Sequence, residues 1–329
     1  MKKVLLTGAA GFVGSNILPI LLEKYMVVAT DDFSKGGKRE NIKDFFNHQN
    51  FIFLEQDLTQ IFSNSLLKEI KECETIFNVA SYSAVEESIH YPKKVIMNNM
   101  EIMFNLLHHC MDKKFIHLSS DEVYGESLHY SHAENFNYNP SNPYAASKAM
   151  QENLLFSYWR TYGLKLIICN TINLIGINQT EDKFLPLIIK KIMAEEQIDI
   201  YSVNNKIGAR IYMDVRNIGD AFIFIDEHIE PKIFKYTNKK ERPIKLNVVN
   251  EQEKKITNID MVRFVSNIID RDFSYNVIKT NKKRPGYDRF YKINGKTLKQ
   301  YGWQPKYYLK DELKNIVDFY KEKHGEYSI

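Results

Sequence analysis

The sequence predicts an α/β fold in which a parallel sheet is covered on both faces by helices and a smaller α/β domain packs against it. Two observations predict this. Through the first half, short apolar runs alternate with longer helical patterns, and the runs are apolar rather than alternating, as in strands buried on both faces. After about residue 175 the alternation breaks up with no repeat and no low-complexity linker. The first domain is therefore expected over 1–175 with a returning segment at about 209–246, and the second mainly over 176–329.

Val4–Thr7 reads as the first strand and Phe12–Tyr25 as the helix after it, with Pro19 removing one of that helix's hydrogen bonds. Val27–Thr30, Phe51–Leu54 and Thr75–Val79 read as the next three strands. Helix Lys93–Met111 precedes strand Phe115–Ser119, and helix Tyr144–Tyr162 precedes strand Lys165–Asn170. Helix-like Leu185–Glu195 opens the irregular second half.

A length of 329 residues suits roughly two domains. Hydrophobic residues at 44% and charged residues at 26% exclude wholesale disorder. Lys+Arg 45 against Asp+Glu 41 leaves a charge of +4, spread along the chain, which gives no case for nucleic acid. The run Lys282-Lys283-Arg284 reads as solvated surface. Cys73, Cys110 and Cys169 are far apart and odd in number, which suits a reducing compartment and offers neither a disulfide framework nor a metal site. Thr7, Gly8, Gly11, Gly14, Ser15 and Asn16 interrupt the N-terminal apolar stretch, unlike a signal peptide. No run approaches the roughly 18 apolar residues of a membrane span. The expectation is a soluble cytoplasmic protein without metal, membrane or nucleic-acid partners.

Thr7-Gly8-Ala9-Ala10-Gly11-Phe12-Val13-Gly14 lies between the first strand and its helix. Glycines there let the backbone turn sharply and approach a pyrophosphate, which the helix N-terminus stabilises. Asp31 ends the second strand, where a carboxylate can accept hydrogen bonds from an adenosine ribose and repel a 2′-phosphate, so NAD is favoured over NADP. Asp32 can share or replace that role. Asp57-Leu58 can flank the adenine, or Asp57 can cap a helix.

Tyr144 and Lys148 share one helix face, and an ammonium beside a phenol lowers the phenol's pKa, giving a base near neutral pH. Pro143 suits the first helical position, and Ala145, Ala146 and Ser147 leave room for a ligand. Strand Phe115–Ser119 runs into Ser120-Asp121-Glu122, and strand C-termini are where open parallel sheets place their sites. A hydroxyl followed by two carboxylates there points to acid–base work, against a polar turn with Asp121 as a cap.

With these motifs in view, the chain resembles the extended short-chain dehydrogenase/reductases, and among them the nucleotide-sugar 4,6-dehydratases. Thr7–Gly14 resembles that family's TGxxGxxG, Asn78-Val79-Ala80 its Asn-Ala-Ala segment and Tyr144–Lys148 its YxxxK. Ser120 falls at the triad's Ser/Thr, and Asp121-Glu122 resemble the dehydratases' adjacent acid and base. Asn173 and Arg210 resemble contacts to the substrate diphosphate, and Arg284-Pro285-Gly286-Tyr287-Asp288-Arg289 resembles RPGHDRR. Asn173-Leu174-Ile175-Gly176-Ile177 lacks the Tyr and Pro of the usual NxYGP, Ala84 stands in place of a common His, and Ile102 in place of a common Gly.

The resemblance implies a Rossmann-like, doubly wound domain binding NAD, and a smaller domain binding a nucleotide sugar. Gly8, Gly11, Phe12, Val13, Gly14, Asp31, Asp32, Asp57, Leu58, Ala80, Asn99, Tyr144 and Lys148 would then hold the cofactor. Ser83, Asn173, Arg210, Arg284 and Tyr287 would hold the substrate. The implied catalytic set is Ser120, Asp121, Glu122, Tyr144 and Lys148, and the implied product a 4-keto-6-deoxy sugar. The competing readings are a 4-epimerase or decarboxylase on the same scaffold, and a non-catalytic NAD-binding protein. Helices Lys93–Met111 and Tyr144–Tyr162 carry more than one apolar stripe, and relatives pair through them, so a homodimer is expected.

Overall fold

The computed structural model describes residues 1–127, 129–235, 241–280 and 285–325. Seven parallel strands form the main sheet: β1 (Lys3–Thr7), β2 (Met26–Asp31), β3 (Phe51–Glu55), β4 (Thr75–Asn78), β5 (Lys114–Ser120), β6 (Lys165–Thr171) and β12 (Ile244–Val248). Their order is β12-β6-β5-β4-β1-β2-β3. Crossover helices α1 (Phe12–Leu22), α2 (Asn64–Glu72), α4 (Pro92–Cys110), α5 (Pro143–Tyr162) and α7 (Arg216–His228) cover both faces. A short α3 (Val85–His90) precedes α4. This is the expected Rossmann-like doubly wound fold.

The period of two along each strand splits the core between the faces. Val4 and Leu6 of β1 pack with Ile17 and Leu21 of α1 and Phe222 of α7. Leu5, between them, packs on the other face with Leu66 of α2, Leu106 of α4 and Trp159 of α5. Pro19 is accommodated inside α1, which stops at Leu22, short of the predicted Tyr25. Likewise β4 stops at Asn78, one residue before the predicted Val79.

The remaining elements gather mostly around a third core, with Ala209 and Leu298 in the first. They include β7 (Asn173–Ile175), α6 (Phe184–Met193), β8 (Ile198–Val203), β9 (Lys206–Ile207), β10 (Ala209–Arg210) and β11 (Tyr212–Asp214). After these come β13 (Ile256–Thr257), α8 (Asn258–Ile269), β14 (Tyr275–Lys279) and the helices Lys296–Gln300 and Leu309–Gly325. Ile188 and Ile189 of α6, Ile200 of β8, Val262 of α8 and Val317 of the last helix are wholly buried there. Among the described residues no helix is long and apolar enough to cross a membrane.

In the main sheet, β1 lies between β2 and β4, so crossovers leave the centre in opposite directions. That switch point opens a crevice at the strand C-termini, where ligands of such sheets bind.

Candidate active site

A cleft of about 520 Å³ runs from the glycine loop across the ends of β1, β4 and β5 to the small strands of the second half. Gly8, Gly11, Phe12, Val13, Gly14, Asp31, Asp32, Asp57, Leu58 and Ala80 line its first end. Ser120, Glu122, Tyr144 and Lys148 line the middle, and Ser83, Asn173, Arg210 and Tyr287 are also on its wall. Arg284 lies outside the described residues.

The glycine loop fits a dinucleotide by its shape. Gly8 has φ +68°, and a Cβ there would sit 2.8 Å from Ala80 Cα. A Cβ on Gly14 would meet Gly8 O at 2.1 Å, so helix and strand approach as only glycine allows. Gly11 begins α1 with no side-chain cap, leaving the first amides of the helix for an anion. The Asp31 carboxylate accepts from the Ala10 and Phe33 amides, both at 2.9 Å, and burial raises its pKa against those bonds. Asp32 accepts from the Ser34 amide and hydroxyl in a local turn. Asp57 accepts from the Thr59 amide at 2.8 Å and caps no helix, because Ser63 is the N-cap of α2.

Asn99 is displaced from its expected role. It is wholly buried and is absent from the cleft wall. Its Oδ1 accepts from the Tyr82 amide at 2.7 Å and its Nδ2 donates to Ser147 Oγ at 2.9 Å, so it ties the loop after β4 to α5. Asp121 also falls short of the cleft wall: its side chain is buried behind Ser120, whose hydroxyl lies 3.3 Å from Asp121 Oδ1. The other oxygen, Oδ2, is buried with no hydrogen-bond partner. Burial and then the charge of Glu122 push the Asp121 carboxyl up to about 8. Glu122 is held by Asn142, whose Nδ2 donates to Oε2 at 2.9 Å.

Tyr144 corrects the sequence argument. Burial, then Glu122 and Asp121, raises its phenol above the usual value. Lys148 does not offset this, because its Nζ donates to Leu118 O at 2.8 Å and sits 3.5 Å from His117 Nε2. Burial lowers the Lys148 ammonium to about 7, with Glu152 one turn along the helix opposing. Desolvation, which four-residue spacing cannot report, outweighs the pairing that the spacing suggested.

At the far end, Arg210 donates to the carbonyls of Ala209, Arg289 and Asp288 at 2.7, 3.0 and 3.0 Å. The guanidinium lies 4.9 Å from the Tyr291 ring centroid and 5.4 Å from that of Tyr287. Gly208 makes room for Tyr287: a Cβ there would meet its hydroxyl at 2.0 Å.

Several supporting residues escaped the sequence reading. Ser88 Oγ accepts the Tyr144 amide at 3.1 Å, fixing the start of α5. Glu152, wholly buried, pairs with Lys245 at 2.6 Å and accepts from Asn170 at 2.7 Å, and Asn170 in turn donates to Ser120 O at 3.0 Å. Only Asn142 had a local signal, since Asn before Pro at a helix start is an N-cap pattern.

Comparison with known proteins agrees with this fold. The family model described as GDP-mannose 4,6 dehydratase matches residues 5–316. The trifunctional UDP-glucose 4,6-dehydratase/UDP-4-keto-6-deoxy-D-glucose 3,5-epimerase/UDP-4-keto-L-rhamnose-reductase of Arabidopsis thaliana is 28% identical over 98% of the chain, which spans 47% of that protein's length. The dTDP-glucose 4,6-dehydratase of Streptomyces venezuelae, solved with NAD bound, superposes with a TM-score of 0.87 at 24% identity, covering 98% of each chain. The UDP-N-acetylglucosamine 4-epimerase of Methanobrevibacter ruminantium M1 superposes at 0.83 with 26% identity, covering 98% of this chain and 99% of the other.

Proposed function

The chain belongs to the GDP-mannose 4,6 dehydratase family, and we propose that it dehydrates a nucleotide-activated hexose to the 4-keto-6-deoxy sugar with NAD as cofactor. The observation that carries this reading is the Asp121-Glu122 pair. One member is buried and keeps its proton to about pH 8, while the other is held by Asn142 on the cleft wall.

The glycine loop, Asp31 and the open N-terminus of α1 would hold NAD, with Lys148 and Tyr144 at its reactive end. Bound there, the cofactor would accept hydride from C4 of the sugar and return it at C6. Tyr144 takes the proton of the C4 hydroxyl, and Ser120 hydrogen-bonds the same oxygen. A ketone at C4 makes the C5 proton acidic, and Glu122 removes it. Asp121, buried beside the cleft rather than on its wall, would protonate the C6 hydroxyl as it departs, through the oxygen that accepts no hydrogen bond. Adjacent carboxyl groups support these opposite tasks because like charges push their pKa values apart. Residues 176–329 would mainly seat the nucleotide sugar, with Asn173 and Arg210 toward its phosphates and Tyr287 and Ser83 beside it.

A second reading, 4-epimerisation, is favoured by the epimerase superposition. It would use Ser120, Tyr144 and Lys148 but gives the Asp121-Glu122 pair no task. Incubation with dTDP-, UDP-, GDP- and CDP-hexoses, followed by mass measurement, separates the two. A product lighter by one water supports dehydration, and an isomer of unchanged mass supports epimerisation.

A further inference from the structure

Behind the Ser120 turn lies a buried carboxylate to which the proposed chemistry gives no task. Glu152 of α5 is wholly buried, and four donors converge on its two oxygens. Ser119 Oγ and Asn170 Nδ2 donate to Oε1 at 2.5 and 2.7 Å. Tyr138 Oη and Lys245 Nζ donate to Oε2 at 2.8 and 2.6 Å. Lys245 comes from β12, the strand that the second half of the chain returns to the sheet, and it too is buried. A buried ion pair often stabilises a fold no better than well-packed apolar side chains. What this one imposes is orientation.

The orientation is imposed on Asn170 of β6, which is in register with Ser119 of β5. Glu152 Oε1 and, at 3.0 Å, the Ser120 carbonyl both face one end of its side-chain amide. Both are acceptors, so that end is the NH₂ and gives one hydrogen to each. The other end, Oδ1, is buried and has no hydrogen-bond partner among the described residues. Turning the amide over would set Oδ1 against two oxygens. Ser120 is thus held from behind by its carbonyl, while its Oγ, on the cleft side, accepts the Glu122 amide at 3.2 Å.

We infer that Glu152 is a positioning residue: by keeping the Asn170 NH₂ turned to the Ser120 carbonyl, it sets the turn that presents the Ser120 hydroxyl and Glu122 to the substrate. Lys245 gives the arrangement its direction. In Glu152→Gln the ammonium draws the oxygen of the new amide to itself, which leaves that amide's NH₂ facing Asn170. Asn170 must then turn over to accept, and its Oδ1 meets the Ser120 carbonyl. Lys245→Met removes the ammonium but leaves an acceptor on Asn170, so the turn keeps its support.

The inference rests on the proposed function for its rate readout. Glu152→Gln and Lys245→Met each leave one member of a buried pair alone, so a merely structural pair would lose stability and rate alike in both. The positioning role splits them. Glu152→Gln should lose about tenfold or more in kcat, with KM for the sugar nucleotide little changed, because misplaced reacting groups slow chemistry more than binding. Lys245→Met should melt earlier than wild type yet keep its kcat. In the double variant the glutamine can turn its oxygen back to Asn170 and its NH₂ to the Tyr138 hydroxyl, so kcat should recover. Rates are compared per bound NAD, below the melting range of every variant. Side-chain ¹⁵N–¹H spectra read the geometry without turnover. The Asn170 NH₂, assigned by its loss in Asn170→Ser, should show both hydrogens shifted downfield by their acceptors in wild type and Lys245→Met, and lose that shift in Glu152→Gln. Equal loss of kcat in the two single variants, no recovery in the double variant, or an Asn170 signal unmoved by Glu152→Gln would each overturn the inference. Should Glu152→Gln fail to fold, Asn170→Ser, which breaks the relay and spares the ion pair, makes the same comparison with Lys245→Met. A wild type inactive on every sugar nucleotide would sink the function reading and leave the Asn170 spectra to decide the orientation.

Discussion

Asn142 holds α5 and Glu122 with opposite ends of one side-chain amide. Its Oδ1 accepts from the Ala145 amide at 2.8 Å, capping the helix that carries Tyr144 and Lys148, and its Nδ2 donates to Glu122 Oε2 at 2.9 Å. Tyr144 and Glu122 are thus set by the same residue. Asn142→Ser keeps a cap and releases Glu122, so stability should fall little while kcat drops by about tenfold or more. Asn142→Ala loses both bonds and should cost about 1 kcal/mol more in a denaturant melt. Equal stability loss in the two variants would show that capping is not what the residue contributes.

Asp121 carries a measurable stability cost. Its carboxyl ionises near 3.8 in an ordinary setting and at about 8 in the fold, through burial and then Glu122. A carboxyl raised on folding costs nothing below its unfolded value, and the cost grows as pH rises toward the folded value. Asp121→Asn lacks that cost, so at neutral pH it should unfold with roughly 1 to 2 kcal/mol more stability, after allowing for the unpaired amide. The gap should close near about pH 4. Thermal melts across pH read this, and a gap that does not change with pH would contradict the raised value.

The α4 and α5 helices pack side by side and leave Met97, Phe104 and Met150 exposed at 46%, 45% and 43%. A second copy offering the same helices would cover them in a self-complementary patch. Light scattering should give twice the 38.7 kDa of one chain, and Phe104→Glu with Met150→Glu should halve it. A wild type of 38.7 kDa at micromolar concentration would contradict a homodimer.

Local patterns made the framework legible. The apolar runs within β1, β4 and β5, the glycines at the β1–α1 turn and the Tyr144–Lys148 spacing all lie within a few residues of the feature they report. What stayed hidden depends on partners brought together by the sheet. The pairing of Glu152 with Lys245, and the row from Thr7 through Asn78 to His117, join separate strands and helices, and no local period encodes them. Tyr144 shows the limit most plainly: its neighbour at four residues was readable, but the burial that dominates its phenol was not.

Rapid mixing tests the central claim, that Glu122 serves the elimination and Tyr144 the oxidation before it. NAD-loaded Glu122→Gln and Tyr144→Phe would each meet the hexose that the wild type accepts, with absorbance of the reduced nicotinamide followed over one turnover. Removing a general acid or base typically costs about a hundred- to ten-thousand-fold in rate. With Glu122→Gln the band should rise and persist, because C4 is oxidised but the acceptor at C6 is never formed. With Tyr144→Phe no band should appear. If neither variant gives the band, the division of labour between Tyr144 and Glu122 is contradicted.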